Sequence, residues 1–274
     1  MTALLIVFLG LAVLLMLVLL CLNMAVNNRS VPTRVEGFSP DQPHRVLAVF
    51  AHPDDEVMAA GTLARLRRHG EVFSLYCTHG EDGPTGDLVE REGLGALREQ
   101  ELGAVRDILE LSGMEILNYP DRYLNTVPPE KLKEEIRVRV EKFRPDTVIC
   151  FDRTIGLYGH TDHVFAGECT QALLEGGTLG VRYLLEMTLS RRMLALALKV
   201  SRTFREWYDP AKGLPQANLS VKIAPFATRK MGVVKAHRSQ WQVMGDVQPL
   251  YDKLPAWLYY RIFSREYYKL HKIF

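Results

Sequence analysis

Val46-Leu47-Ala48-Val49-Phe50, running straight into Ala51-His52-Pro53-Asp54-Asp55-Glu56, decides how this chain folds. The apolar run reads as a short buried strand, and Val57-Met58-Ala59-Ala60-Gly61-Thr62-Leu63-Ala64 after it reads as the start of a helix. One imidazole and three carboxylates then sit on the turn at the carboxyl end of a strand, where open α/β sheets bind ligands. Carboxylate oxygens beside a neutral imidazole are also a metal-ligand set. The plainer reading is an exposed acidic turn with Asp54 or Asp55 capping the helix.

Outward from this turn the pattern repeats. Val72 to Cys77 reads as a second strand leading into the loop Thr78-His79-Gly80-Glu81-Asp82-Gly83-Pro84. Leu94, Leu97, Leu102, Val105, Ile108 and Leu109 fall in helical period over about 91–111. Ile116 to Tyr119 is a third strand, Leu132, Ile136, Val140 and Phe143 mark a helix after Pro128-Pro129, and Thr147 to Phe151 is a fourth strand. A helix is expected from His163 to about Leu174. Strands alternating with helices predict βαβ units and an α/β fold with a mostly parallel sheet. Residues 183–208 read as helical, with Met193 to Leu198 forming either a core helix or one lying on a membrane surface. Leu219 to Ile223 reads as a strand and Phe226 to Gln240 as a helix. The aromatics from Trp257 to Phe274 suit a membrane interface or the edge of a core.

The 274 residues are enough for one large α/β domain with a sizeable core. A net charge of +2 gives no bulk electrostatic case for nucleic acid, so no nucleic-acid partner is expected. Cys21, Cys77, Cys150 and Cys169 form no CxxC pair and read as buried thiols in a reducing compartment. Ala3 to Leu22 has no charged side chain and just spans a hydrocarbon core. It lacks a basic n-region and a small-residue cleavage site, so residues 1–26 read as an uncleaved transmembrane anchor. Arg29 and Arg34 follow the span and predict a cytoplasmic domain. Residues 27–44, with Pro32, Pro40 and Pro43, read as a linker, and 45–274 as the domain.

The fourth strand ends at Asp152, and the loop beyond it contains Tyr158-Gly159-His160-Thr161-Asp162-His163. A parallel sheet puts the carboxyl ends of its strands on one edge, so this cluster and His52-Asp54-Asp55 converge. Together they offer ligands for a zinc-like ion and spare acid–base groups.

These pieces resemble the PIG-L/LmbE-like zinc-dependent de-N-acetylases: Ala51 to Glu56, Thr78 to Gly83, Arg98 to Leu102, Tyr158 to His163, and Lys235 to Gln240, in the family's order. The resemblance implies a Rossmann-like three-layer sandwich. It also implies that His52, Asp55 and His163 bind Zn2+ or another divalent metal, with Asp54 as the general base. His160 would stabilise the oxyanion or protonate the leaving amine, Tyr158 would polarise the amide carbonyl, and Asp162 would orient a histidine. Arg98 would contact a substrate phosphate or hydroxyl, and Asp121 a sugar hydroxyl. On the residues alone, Arg98 and Glu101 are equally a helix-surface ion pair, and His79 and His237 are loop or packing histidines. Thr161 stands where the family usually has proline, which leaves the loop less restrained.

The expected function is hydrolytic release of acetate from an N-acetylglucosamine conjugate. The anchor suggests that the conjugate is lipid-linked in the same membrane. An amidase acting on a larger acyl group and a membrane-anchored glycosyltransferase are the alternatives.

Overall fold

The computed structural model describes residues 2–273; Met1 and Phe274, the outer ends of the expected anchor and domain, lie outside the described residues. The described strands are β1 (Arg45–Phe50), β2 (Glu71–Thr78), β3 (Gly113–Tyr119), β4 (Thr147–Phe151), β5 (Tyr183–Thr188), β6 (Leu219–Lys222) and β7 (Arg265–Lys272). They form one sheet in the order β3-β2-β1-β4-β5-β7-β6. The first five strands pair in parallel, and β7 runs antiparallel between β5 and β6.

β1 shows why the fold is α/β. Its alternate side chains enter two separate cores: Val46, Ala48 and Phe50 on one face, Leu47 and Val49 on the other. A strand covered on both faces must be apolar where it is covered, as Val46 to Phe50 are. Helix α1 (Thr2–Val26) precedes the sheet. Helices α2 (Ala60–Arg67) and α3 (Leu94–Leu109) cover the first face; α4 (Pro129–Phe143) covers the second. A one-turn α5 (Gly156–Gly159) leads into α6 (Thr161–Leu174), on the α4 side. From β1 the chain steps outward to β2 and β3, then returns to place β4 on β1's other side. That reversal opens a crevice at the carboxyl ends of β1 and β4.

Residues 183–208 are not continuously helical. Tyr183 to Thr188 form β5, buried throughout, and only then come α7 (Arg191–Val200) and α8 (Arg202–Trp207). A short run buried on both faces has no two-residue period, so nothing separates it from a buried helix in sequence. No residue of α7 is fully buried, although Met193, Leu194, Ala197 and Leu198 pack on the core. The helix expected over 226–240 is α9 (Ala227–Ala236), followed by a single turn at Arg238–Gln240 and α10 (Trp241–Val247). After α11 (Ala256–Ile262), the aromatic C-terminal segment forms β7. Tyr259, Tyr260, Tyr267 and Tyr268 belong to the core, whereas Trp257 is 59% exposed.

Helix α1 from Leu4 to Val26 is long and apolar enough to cross a membrane. Its end is fastened to the domain. Asn23 Nδ2 donates to Arg261 O and Ser264 Oγ, both at 2.7 Å, Asn27 Nδ2 donates to Ile262 O at 2.6 Å, and Arg192 donates to Met24 O. Residues 27–44 join α1 to β1 while lying on the domain: Phe38 is 2% exposed, and Pro32 O accepts from Ser220 N–H at 2.8 Å.

Candidate active site

The turn after β1 is shaped by its own acids. Asp55 Oδ2 accepts the backbone N–H groups of Ala51 at 3.0 Å and His52 at 2.8 Å. Asp54 adopts φ 103°, a left-handed backbone that aspartate tolerates better than most residues. This conformation lets neighbouring acids face different partners. Glu56, fully buried, accepts Asp54 N–H at 3.0 Å and meets His237.

His52, Asp55 and His163 converge from two strand ends. His52 Nδ1 lies 3.3 Å from His163 Nε2, His163 Nε2 lies 3.0 Å from Asp55 Oδ1, and His52 Nδ1 lies 3.7 Å from Asp55 Oδ2. Zinc bonds of about 2.0–2.1 Å in tetrahedral array hold ligand atoms roughly 3.3 Å apart. The other ring nitrogens agree. His52 Nε2 faces Asp121 Oδ1 at 3.0 Å and Asp162 Oδ2 at 3.1 Å, and His163 Nδ1 faces Gly156 O at 3.1 Å. Carboxylates and carbonyls only accept, so those nitrogens donate, and with both rings neutral Nδ1 of His52 and Nε2 of His163 would be the atoms left for a metal. The donor set therefore fits a zinc-like divalent ion. His52 also groups within 4.8 Å with His160 and His163, and with Asp121 and Asp162.

The loop 152–160 is held by Asp152, whose carboxylate accepts from the N–H groups of Thr154, Ile155 and Leu157 at 2.8–3.0 Å. Leu157 sits at φ 74°, and Gly156 and Gly159 take positive φ beside it. His160 caps α6: its Nδ1 accepts Asp162 N–H at 3.2 Å. Thr161 is thus the first helical residue, where proline is favoured but not required. His160 stacks on Trp207, ring centroids 5.4 Å apart and 17° from parallel. Burial, with His163 and His52 alongside, pushes its pKa down to about 2, so the ring is neutral. Burial likewise pushes the Tyr158 hydroxyl well above its usual range, leaving it a hydrogen-bond donor.

Asp54 Oδ1 lies 3.1 Å from Arg98 Nη2. Burial raises the Asp54 pKa to about 6, against the pull of the Arg98 charge. Arg98 is 3% exposed; it donates to Gly80 O at 2.8 Å and to Pro53 O. Asp121, expected on a sugar hydroxyl, is 4% exposed, on His52 and on Asp82 N–H at 2.9 Å. Glu101 pairs with Ser239 N–H at 2.6 Å and Oγ at 2.8 Å, and makes no ion pair with Arg98. Glu56, read from the sequence as supporting the turn, does so here, whereas Asp152 and Trp207 are site residues to which sequence reasoning gave no role. Only the adjacency of Asp152 to the end of β4 could have flagged it. Asp54, Asp55, Tyr158 and His163 line one pocket.

A family profile described as PIG-L, GlcNAc-PI de-N-acetylase, matches residues 47–174. A Bacillus anthracis protein described as "Probable N-acetyl-alpha-D-glucosaminyl L-malate deacetylase 2" is 30% identical over 201 residues, covering 72% of this chain and 81% of that one. The mycothiol S-conjugate amidase of Streptomyces coelicolor is 30% identical over 161 residues, covering 51% of this chain and 54% of its own, so the match spans about half of that relative. Among solved structures, the N,N'-diacetylchitobiose deacetylase of Pyrococcus horikoshii shares the fold with a TM-score of 0.61 at 18% identity, over 84% of this chain and 85% of that one.

Proposed function

Because this chain belongs to the PIG-L family of GlcNAc-PI de-N-acetylases, we propose that it hydrolyses the acetamide of an N-acetylglucosamine conjugate to acetate and a free amine. His52, Asp55 and His163 would hold a divalent metal, zinc first among them. Bound there, the metal acidifies water and polarises the amide carbonyl. Asp54 takes a proton from the attacking water. Tyr158 donates its hydroxyl to the amide oxygen. His160, neutral with its proton on Nε2, donates a hydrogen bond to the developing oxyanion, and the proton Asp54 took from the water passes to the departing nitrogen. Asp162 and Asp121 fix the His52 ring. Arg98 holds the Asp54 carboxylate from behind, which supports a positioning role for it.

The approach of His52 Nδ1, His163 Nε2 and the Asp55 carboxylate beside Asp54 carries this reading. A glycosyltransferase holding a diphosphate has no use for the two histidines in that set. The test is amine release from an N-acetylglucosaminyl lipid in vesicles, read with an amine-reactive dye. Release is expected to stop on chelation and return with zinc. Zinc-loaded protein that frees no amine from any N-acetylated sugar would overturn the assignment.

The same reading takes residues 1–26 as a single membrane span, 27–44 as its connection and 45–274 as the catalytic domain, with a lipid-linked substrate in the same bilayer. Arg29 and Arg34 support a cytoplasmic domain. A C-terminal reporter is expected to be active only inside the cell; activity only outside would reverse the orientation.

A further inference from the structure

The pocket that begins at Asp54, Asp55 and His163 extends beyond them as an open cleft between α7, α11 and the sheet. Its outer wall is apolar: Met193 and Ala197 of α7, Tyr259 of α11 and Phe263 just after it. It reaches the surface along α7, where the lining residue Val200 is 46% exposed. Charged groups in the wall do not await a ligand, since Lys230 and Glu266 pair with each other and Arg265 donates to Val31 O and Ser220 Oγ. Gln248 is different. It is 8% exposed, its Oε1 accepts from Tyr260 OH at 2.9 Å, and its Nε2 has no partner among the described residues.

The location of this wall is informative. Helices α7 and α11 are also the elements against which α1 packs. Asn23 and Asn27 bond to the end of α11, and Arg192 of α7 bonds to Met24 O. The apolar end of the pocket therefore lies beside the end of the one described helix that is long enough to cross a membrane.

We propose that this pocket binds the hydrocarbon chain of a glycolipid whose N-acetylated sugar occupies the metal site. The inference rests on the deacetylase reading above and adds the part of the substrate that gives affinity. In N-acetylglucosamine the acetamide and the aglycone sit on adjacent ring carbons. A chain on the aglycone thus leaves the sugar a few bonds from the reacting carbonyl, close enough to enter the apolar wall. Gln248 Nε2 suits an ester or ether oxygen at the head of that chain. Each buried methylene favours binding by up to about fourfold.

The experiment uses the full zinc-loaded chain in phosphatidylcholine nanodiscs. Alkyl N-acetylglucosaminides from methyl to dodecyl are compared, and the readout is the ratio of kcat/KM for dodecyl over methyl. The ratio is expected to exceed tenfold in the unaltered protein, through KM, and to collapse in Ala197→Phe and in Leu196→Trp. Partitioning into the bilayer acts on all proteins alike, so a ratio undiminished in both variants would overturn the proposal. A dodecyl glycoside tipped with a diazirine gives a readout that needs no turnover. Crosslinks within 191–200 or 256–263 are expected; crosslinks confined to α1 would overturn it. Crosslinking at α7 without acetate release would keep the chain pocket and remove the deacetylase reading. Preference for a dodecanoyl amide on a methyl glycoside, labelling the same wall, would overturn the aglycone assignment in favour of the acyl group.

Discussion

Asp54→Asn is expected to lower amine release by about 10²–10⁴-fold while the metal stays bound. Asparagine keeps the shape and can still accept from Arg98, 3.1 Å away in the native site, but it cannot take a proton. Asp54 is not among the converging ligand atoms, so metal content and kcat/KM measured on one preparation separate the two roles. Full activity in this variant would move the base elsewhere. The acid limb of the pH profile belongs to the same group. As the proposed base Asp54 would work unprotonated, and burial raises its carboxyl to about 6, so activity is expected to fall as pH drops through that region; a bound cation would move the limb lower. Arg98 opposes the rise caused by burial. Arg98→Gln should therefore shift the acid limb upward.

Glu266→Ala is the change expected to cost most stability, about 3–5 kcal/mol, because it strands a buried charge. Glu266 accepts Gly61 N–H at 3.0 Å and Thr62 N–H at 2.7 Å, capping the start of α2, and it faces Lys230 Nζ. Both side chains are under a tenth exposed. Urea unfolding in detergent reads the loss. Pairing Glu266→Gln with Lys230→Met should recover much of it, since no charge is then left alone. If the single variant unfolds at the native urea concentration, the ion pair is not supporting the fold. Because α2 starts directly after the catalytic turn, the damage should reach the metal site as well.

How much of this was visible in the sequence depends on locality. β1 and β4 were read at their observed bounds, since each is a continuous apolar run ended by polar turn residues. β5 and β7 were not. The six residues of β5 are all buried and show no alternation, and β7 pairs with partners brought together only by the fold. The convergence of His52 and Asp55 with His163 was readable because parallel topology puts strand ends together. The brace behind them was not. Glu56 meets His237 across 181 residues of chain, and no local pattern announces that pairing. Arg98 illustrates the same limit. Its place in the chain suggested a ligand contact, whereas the fold turns it onto Asp54 and the carbonyls of Pro53 and Gly80.

The hydrogen bonds from Asn23 and Asn27 to the α11 end, with residues 27–44 laid on the domain, have a kinematic consequence. If α1 spans a bilayer, the catalytic crevice stands at one height and one tilt above it, like a tool on a rigid arm. Substrates would be sampled by lateral diffusion in two dimensions, and head groups too short or too tall for that height would pass unprocessed at any concentration. Spacer length between lipid and sugar then becomes a selectivity filter set by the arm, separate from any contact the sugar makes.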